Sequence, residues 1–147
     1  LLRGALEKIK SYLDYGAFTP IQVAAASALS SDPSTIAKVR EVYKKRRNVL
    51  VDAMSKAGWE IPSPDATMFA WAPIPEKFRS LGSLEFSKVL LKEADISVAP
   101  GIGFGEYGEN FVRIGLVENE HRIRQAARNI KAVLAKADKI LSDYSLN

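Results

Sequence analysis

Pro100-Gly101-Ile102-Gly103-Phe104-Gly105-Glu106-Tyr107-Gly108 leads, through Glu109-Asn110, into Phe111-Val112-Arg113-Ile114-Gly115-Leu116-Val117. Gly103, Gly105 and Gly108 match the G-x-G-x-x-G spacing of a dinucleotide-binding loop. That motif works only where a helix N-terminus follows the glycines and receives the pyrophosphate. Here the following segment alternates in apolar character and predicts a strand. The glycines are therefore read as a tight loop whose backbone must approach another surface. Nucleotide binding is set aside.

Working outward, residues 96 to 99 predict a strand before the loop, and Asn119 predicts the cap of a final helix. In that helix Ile123, Ala127, Ile130, Leu134 and Ala137 recur at intervals of three and four. Ser83 is read as the cap of a helix over Leu84 to Ala94, with Phe86, Val89 and Leu90 inward. Strands are expected at Thr67 to Ala72 and, briefly, at Trp59 to Ile61. Upstream, Asp32-Pro33 combines a good N-cap with a proline suited to the first helical position. It opens a helix of about 25 residues, roughly 40 Å long, ending at Gly58. Ile36, Val39, Tyr43, Leu50, Ala53 and Ala57 line its inner side. The order of elements predicts an α+β fold, with helices covering one face of a small sheet.

Residues 1 to 30 do not join this pattern. Leu2, Leu6 and Ile9 fall at helical spacing from the first residues, as if a helix were entered partway. Gly16 and Pro20 break that helix, and Ile21 to Leu29 predicts a short alanine-rich helix, buried against a neighbour. The expected division is a tail of a preceding domain over 1–30 and the α+β domain over 31–147.

Composition narrows the chemistry. The chain has 147 residues, no cysteine and one histidine, His121. Disulfides, thiolate metal sites and a cysteine nucleophile are excluded, and no metal site is expected. No apolar run nears the roughly 20 residues that span a bilayer, and the first residues lack signal-peptide organisation. No membrane partner is expected, and cytoplasm is the expected location. The net charge of +4 includes the cluster Lys44-Lys45-Arg46-Arg47. Apolar residues flank it at helical spacing and no aromatic series follows it. It reads as a solvated helix face, and no nucleic-acid partner is expected.

Arg113 is the informative residue. Arginine in an apolar strand is seldom buried without a partner. The spacing leaves two uses open: an outward-facing or ion-paired structural arginine, or a receiver for a carboxylate through two parallel hydrogen bonds.

At this point the chain becomes recognisable. Val98-Ala99-Pro100-Gly101-Ile102-Gly103-Phe104-Gly105 followed by Phe111-Val112-Arg113-Ile114-Gly115-Leu116 resembles the signature near the end of class I pyridoxal-phosphate-dependent aminotransferases. Asp65-Ala66-Thr67-Met68-Phe69-Ala70-Trp71 resembles the family's strand after a long interdomain helix. Lys10 to Gly16 with Thr19-Pro20-Ile21-Gln22 resembles the stretch after the cofactor-binding segment. The resemblance covers essentially all 147 residues. It is closest to the alanine aminotransferase branch, which is similar to LL-diaminopimelate aminotransferases.

The resemblance implies the small C-terminal domain of a fold-type I enzyme. It also implies transfer of an amino group between an amino acid and a 2-oxo acid, and pyridoxal phosphate as cofactor of a homodimer. Arg113 then holds the substrate α-carboxylate, Phe69 lies close to the substrate, and Tyr15 is the candidate for a residue crossing to the partner's site. Packing is the other use for Tyr15.

Departures from the family pattern are equally informative. The Schiff-base lysine sits in an S-x-x-K-type segment followed by an arginine, and no such segment is present. Lys77 falls in a polar loop and the other lysines in amphipathic helical patterns, so no catalytic lysine is assigned and the cofactor-binding residues are left unknown. The chain is thus expected to be inactive alone. No arginine lies between Ser11 and Pro20, where aspartate-specific relatives carry a second one, and this favours a small apolar substrate such as alanine. Two other functions stay open. One is a different fold-type I enzyme, a carbon–sulfur lyase or a synthase, sharing the carboxylate arginine; the other is a non-catalytic binding module with a basic helix.

Overall fold

The structure, a computed structural model, describes residues 2–13 and 15–145. The chain divides into two compact units, Leu1–Ala37 and Lys38–Asn147.

The first unit holds helices α1 (Leu2–Leu13) and α2 (Thr19–Ser30). Every described residue of it is exposed. The expectation that Ile21 to Leu29 is buried is therefore corrected. Two short helices offer no second layer to close over their apolar side chains, so Leu6, Tyr12, Phe18 and Ile21 stand in solvent.

Helix α3 (Ser34–Ala57) begins here and continues into the second unit. Asp32 caps it, accepting the Ser34 amide at 3.0 Å and the Ser34 hydroxyl at 2.5 Å. Those bonds favour the charged form and hold the Asp32 carboxyl below its ordinary range. The helix ends where Gly58 takes φ 92. The Gly58 amide donates to Ser55 O and the Trp59 amide to Met54 O, closing the last turn. Both Met54 and Trp59 are buried at that closure.

In the second unit, β1 (Phe69–Pro73), β2 (Ala99–Pro100) and β3 (Phe111–Gly115) form an antiparallel sheet in the order β1-β3-β2. The register sets Phe69 opposite Gly115, Trp71 opposite Arg113 and Pro73 opposite Phe111. Ala70, Ala72 and Val112 point into the core and are fully buried. Helix α4 (Gly82–Ala94) sends Phe86, Val89 and Leu90 into it, and α5 (Glu120–Ala135) sends Ile123, Ala127, Ile130 and Val133. Asn119 caps α5 by accepting the amides of His121 and Arg122. The architecture is α+β, as expected.

Several boundaries differ for physical reasons. Trp59 to Ile61 is not a strand. Pro62 and Pro64 have no N–H to donate to a ladder, and the Trp59 indole instead donates to Pro73 O at 2.8 Å. β2 starts only at Ala99, because the Ile96 amide is spent on Leu90 O at the end of α4, where Asp95 takes φ 57. The last helix breaks at Lys136, and α6 (Ala137–Ser145) continues from it.

Ser83 is not the cap of α4 but lies inside it, fully buried. The Glu109 carboxylate does the capping, accepting the Ser83 amide at 3.1 Å and the Ser83 hydroxyl at 2.9 Å. The same hydroxyl accepts the Ile102 amide at 3.0 Å. One carboxylate thus ties the glycine loop to the start of a core helix.

The loop reading holds at two of its glycines. A Cβ on Gly101 would run into the backbone of Gly108 and Phe111, and one on Gly108 into the backbone of Gly101. A Cβ on Gly103 would meet nothing. Gly101→Ala should therefore destabilise the chain by about 2–4 kcal/mol, through forced backbone shifts. Gly103→Ala should stay within about 0.5 kcal/mol of the unmodified chain. Glu109→Ala leaves buried donors at the start of α4 unpaired and should cost about 1–3 kcal/mol. Denaturant unfolding of the three variants checks this ordering; equal losses for Gly101→Ala and Gly103→Ala would refute the close-approach argument.

Candidate functional site

Alternation along a strand sends successive side chains to opposite faces. With the even-numbered residues of β1 and β3 committed to the core, Phe69, Trp71, Phe111 and Arg113 share the other face. Trp71 stacks on Phe111 with ring centres 5.5 Å apart and 19° between planes. Phe104, on the short 3-10 turn Gly101–Phe104, meets Trp71 edge-on at 5.7 Å.

Arg113 lies on the central strand of the three and is half-buried. Its guanidinium carbon sits 4.2 Å from the centre of the Phe69 ring and 4.5 Å from that of Phe104. Phe69 is a diagonal neighbour across the β1–β3 pair, within reach of an aromatic ring. Among the described residues the Arg113 side chain makes no ion pair and no hydrogen bond. The group is a permanent positive charge with aromatic rings against it, and its five N–H donors have no acceptor among the described residues. Such a group suits a carboxylate, which takes two parallel N–H bonds in the guanidinium plane.

The structure thus brings two of the three sequence-derived candidates, Arg113 and Phe69, into contact. Tyr15 belongs to the first unit, where it is 92% exposed at φ 48. Two contributors were missed by the sequence reading. Phe104 was quoted within a motif but given no role. Arg46 was assigned to a solvated face, and that is corrected here: its Nη1 donates to Leu116 O at 3.1 Å and Val117 O at 2.9 Å, at the exit of β3. Arg47 likewise reaches Pro64 O at 3.4 Å, whereas Lys44 and Lys45 are exposed. The signal was present, since Tyr43, Arg46, Arg47 and Leu50 stand at i, i+3, i+4 and i+7 and so share one helix face.

Every lysine of the chain is exposed. Lys56, Lys77 and Lys88 pair with Asp52, Asp138 and Glu85. Among the described residues no cluster of histidine, aspartate or glutamate could hold a metal ion.

Comparison with known proteins agrees with this geometry. The family model for aminotransferase class I and II matches residues 2–130. A putative aminotransferase AatC of Rhizobium meliloti is 66% identical over 99% of the chain and 36% of its own length. The glutamate-pyruvate aminotransferase AlaC of Escherichia coli is 54% identical over 95% of the chain and 34% of its own length. Among solved structures, apo-BacF of Bacillus subtilis superposes with a TM-score of 0.78 at 32% identity, over 88% of this chain and 33% of that one. The aromatic aminotransferase of Pyrococcus horikoshii gives 0.77 at 30% identity, over 89% and 35%. The chain spans about a third of the length of the curated relatives it matches. Its sheet and helices form the small C-terminal domain of a fold-type I aminotransferase. On the family match and these identities together, the chain belongs to the class I and II aminotransferases.

Proposed function

We propose that this chain is the carboxylate-binding C-terminal part of a pyridoxal-phosphate-dependent aminotransferase exchanging an amino group between alanine and a 2-oxo acid. The observation that carries this reading is Arg113, flanked by Phe69 and Phe104 and without a carboxylate partner among the described residues. In this reading Arg113 grips the substrate α-carboxylate and Phe69 lines the place where the substrate sits. Alanine as the amino donor is supported by the 54% identity to a glutamate-pyruvate aminotransferase. It is supported also by the lack of an arginine between Ser11 and Pro20.

Pyridoxal phosphate, when bound, supplies the electron sink for the chemistry at the amino-bearing carbon. The residues of this chain do not fit its anchoring. Each lysine is exposed, and none belongs to the aromatic face around Arg113. We place the Schiff-base lysine upstream, in the part of the enzyme that the longer relatives carry.

The exposed apolar side chains of the first unit, Leu2, Leu6, Ile9 and Phe18 among them, support assigning residues 1–30 to the tail of a large cofactor-binding domain that covers them. Residues 31–147 are then the small domain. Tyr15, 92% exposed, is assigned to the partner subunit's site in a homodimer. No helix among the described residues is long and apolar enough to cross a membrane. The cytoplasm is the proposed location.

Two results follow. Truncating one partner of a buried charged hydrogen-bonded pair costs about 2–5 kcal/mol. In the complete enzyme, Arg113→Lys and Arg113→Ala should thus lower kcat/KM for alanine by roughly one to four decades. The cofactor spectrum should be unchanged. Efficiency within about threefold of the unmodified enzyme, threefold being only some 0.65 kcal/mol, would make Arg113 a structural arginine. Separately, the 147-residue chain mixed with pyridoxal phosphate and then gel-filtered should retain no stoichiometric visible absorbance. It should also turn over no alanine with 2-oxoglutarate. Retained absorbance at one cofactor per chain would contradict the upstream lysine.

A further inference from the structure

We propose that Phe104 is a positioning residue for Arg113: its ring holds the guanidinium so that the N–H edge stays presented to a carboxylate. This rests on the reading of Arg113 given above and extends it to a second ring beside the guanidinium.

Phe104 is poorly explained as a packing residue. Its side chain is 53% exposed, and it takes no part in the hydrophobic core of the second unit. Its ring contacts are instead with Arg113 at 4.5 Å and, edge-on, with Trp71 at 5.7 Å. Yet the backbone that carries it is fixed on both sides. Before it, the Ile102 amide donates to the buried Ser83 hydroxyl, which Glu109 holds in turn. After it, the Gly105 amide donates to Ile102 O at 3.0 Å, and Gly108 packs backbone to backbone against Gly101. A loop so anchored places an exposed ring at a set position, which an ordinary surface phenylalanine does not require.

The consequence lies in the shape of the guanidinium. Its five donors radiate in one plane, and a cation is attracted to the faces of aromatic rings. With Phe69 and Phe104 against the group, ring faces occupy approaches to the guanidinium carbon, and the donors are left for an in-plane partner. An arginine side chain has many rotamers, and holding it before the ligand arrives removes part of the ordering cost of binding. Losing the Phe104 ring leaves the charge in place but releases its orientation. The effect therefore belongs to carboxylate binding, and it requires Arg113 to be present.

The test uses Phe104→Leu and Phe104→Tyr in the complete enzyme, each alone and combined with Arg113→Lys. KM for alanine is compared with the half-reaction rate for ethylamine, which has no carboxylate. Phe104→Leu should raise the alanine KM about three- to tenfold, with a smaller change in kcat and the ethylamine rate within about twofold. Phe104→Tyr, which keeps the ring face, should return KM to within about twofold of the unmodified enzyme. In the Arg113→Lys background, Phe104→Leu should change KM by less than about twofold, because the two act as one unit. Equal slowing of ethylamine and alanine would make Phe104 merely structural and overturn the proposal. So would a Phe104→Leu effect carried in full into the Arg113→Lys background. If the Arg113 variants lose efficiency and Phe104→Leu does not, the carboxylate reading stands and only Phe104 is dismissed. If the Arg113 variants are themselves silent, both fall. Should Phe104→Leu fold poorly, Phe104→Met gives a flexible side chain without a ring and is judged by the same outcomes.

Discussion

The antiparallel pairing of Trp71 with Arg113 is the constraint on which the second unit depends. In a sheet with one face buried, a slip of one residue would exchange the two faces. It would send Ala70, Ala72 and Val112 outward and drive a guanidinium into an apolar interior. The alanines matter as much as the arginine. Ala70 and Ala72 share one core with Phe86, Val89 and Leu90 of α4, and all five are fully buried. The core chooses the register, and the register delivers Arg113 to the aromatic face. Stability and site are two readings of one alternation.

The elements that were legible in the sequence are those whose signals are local. Asp32-Pro33 and Gly58 bracket α3 because capping and left-handed closure need only near neighbours. Asn119 announces α5 for the same reason. The missing strand at Trp59 to Ile61 and the capping of α4 by Glu109 were not legible, because each rests on a partner distant in sequence. The Trp59 indole finds a carbonyl 14 residues on, and Ser83 a carboxylate 26 residues on. Alternation alone cannot say whether a chain with strand character has an edge to pair with.

The site divided along similar lines. Arg113 was conspicuous as a charge in an apolar strand, and family resemblance gave it a role. Its environment was not readable: the two rings around it, and the absence of a carboxylate beside it among the described residues, follow from the pairing of three segments. Phe104 was hidden among glycines whose pattern suggested a nucleotide loop. Arg46 was hidden in a basic cluster, where sharing a helix face with Tyr43 and Leu50 should have weighed more than charge. A run of four cations invites an electrostatic reading, yet two of the four spend their donors on backbone carbonyls.

That use of Arg46 carries a mechanical consequence. A helix is stiff along its axis, and Arg46 lies partway along α3 while gripping two successive carbonyls just beyond the strand that bears Arg113. The contact acts as a latch between a lever and its load, so a rotation of this part of the helix reaches the strand without slack. The latch is also incompletely bonded, for the Arg46 Nε is buried and has no hydrogen-bond partner among the described residues. A buried donor left open carries a desolvation cost of about 1–3 kcal/mol. The grip is therefore weaker than its two bonds suggest.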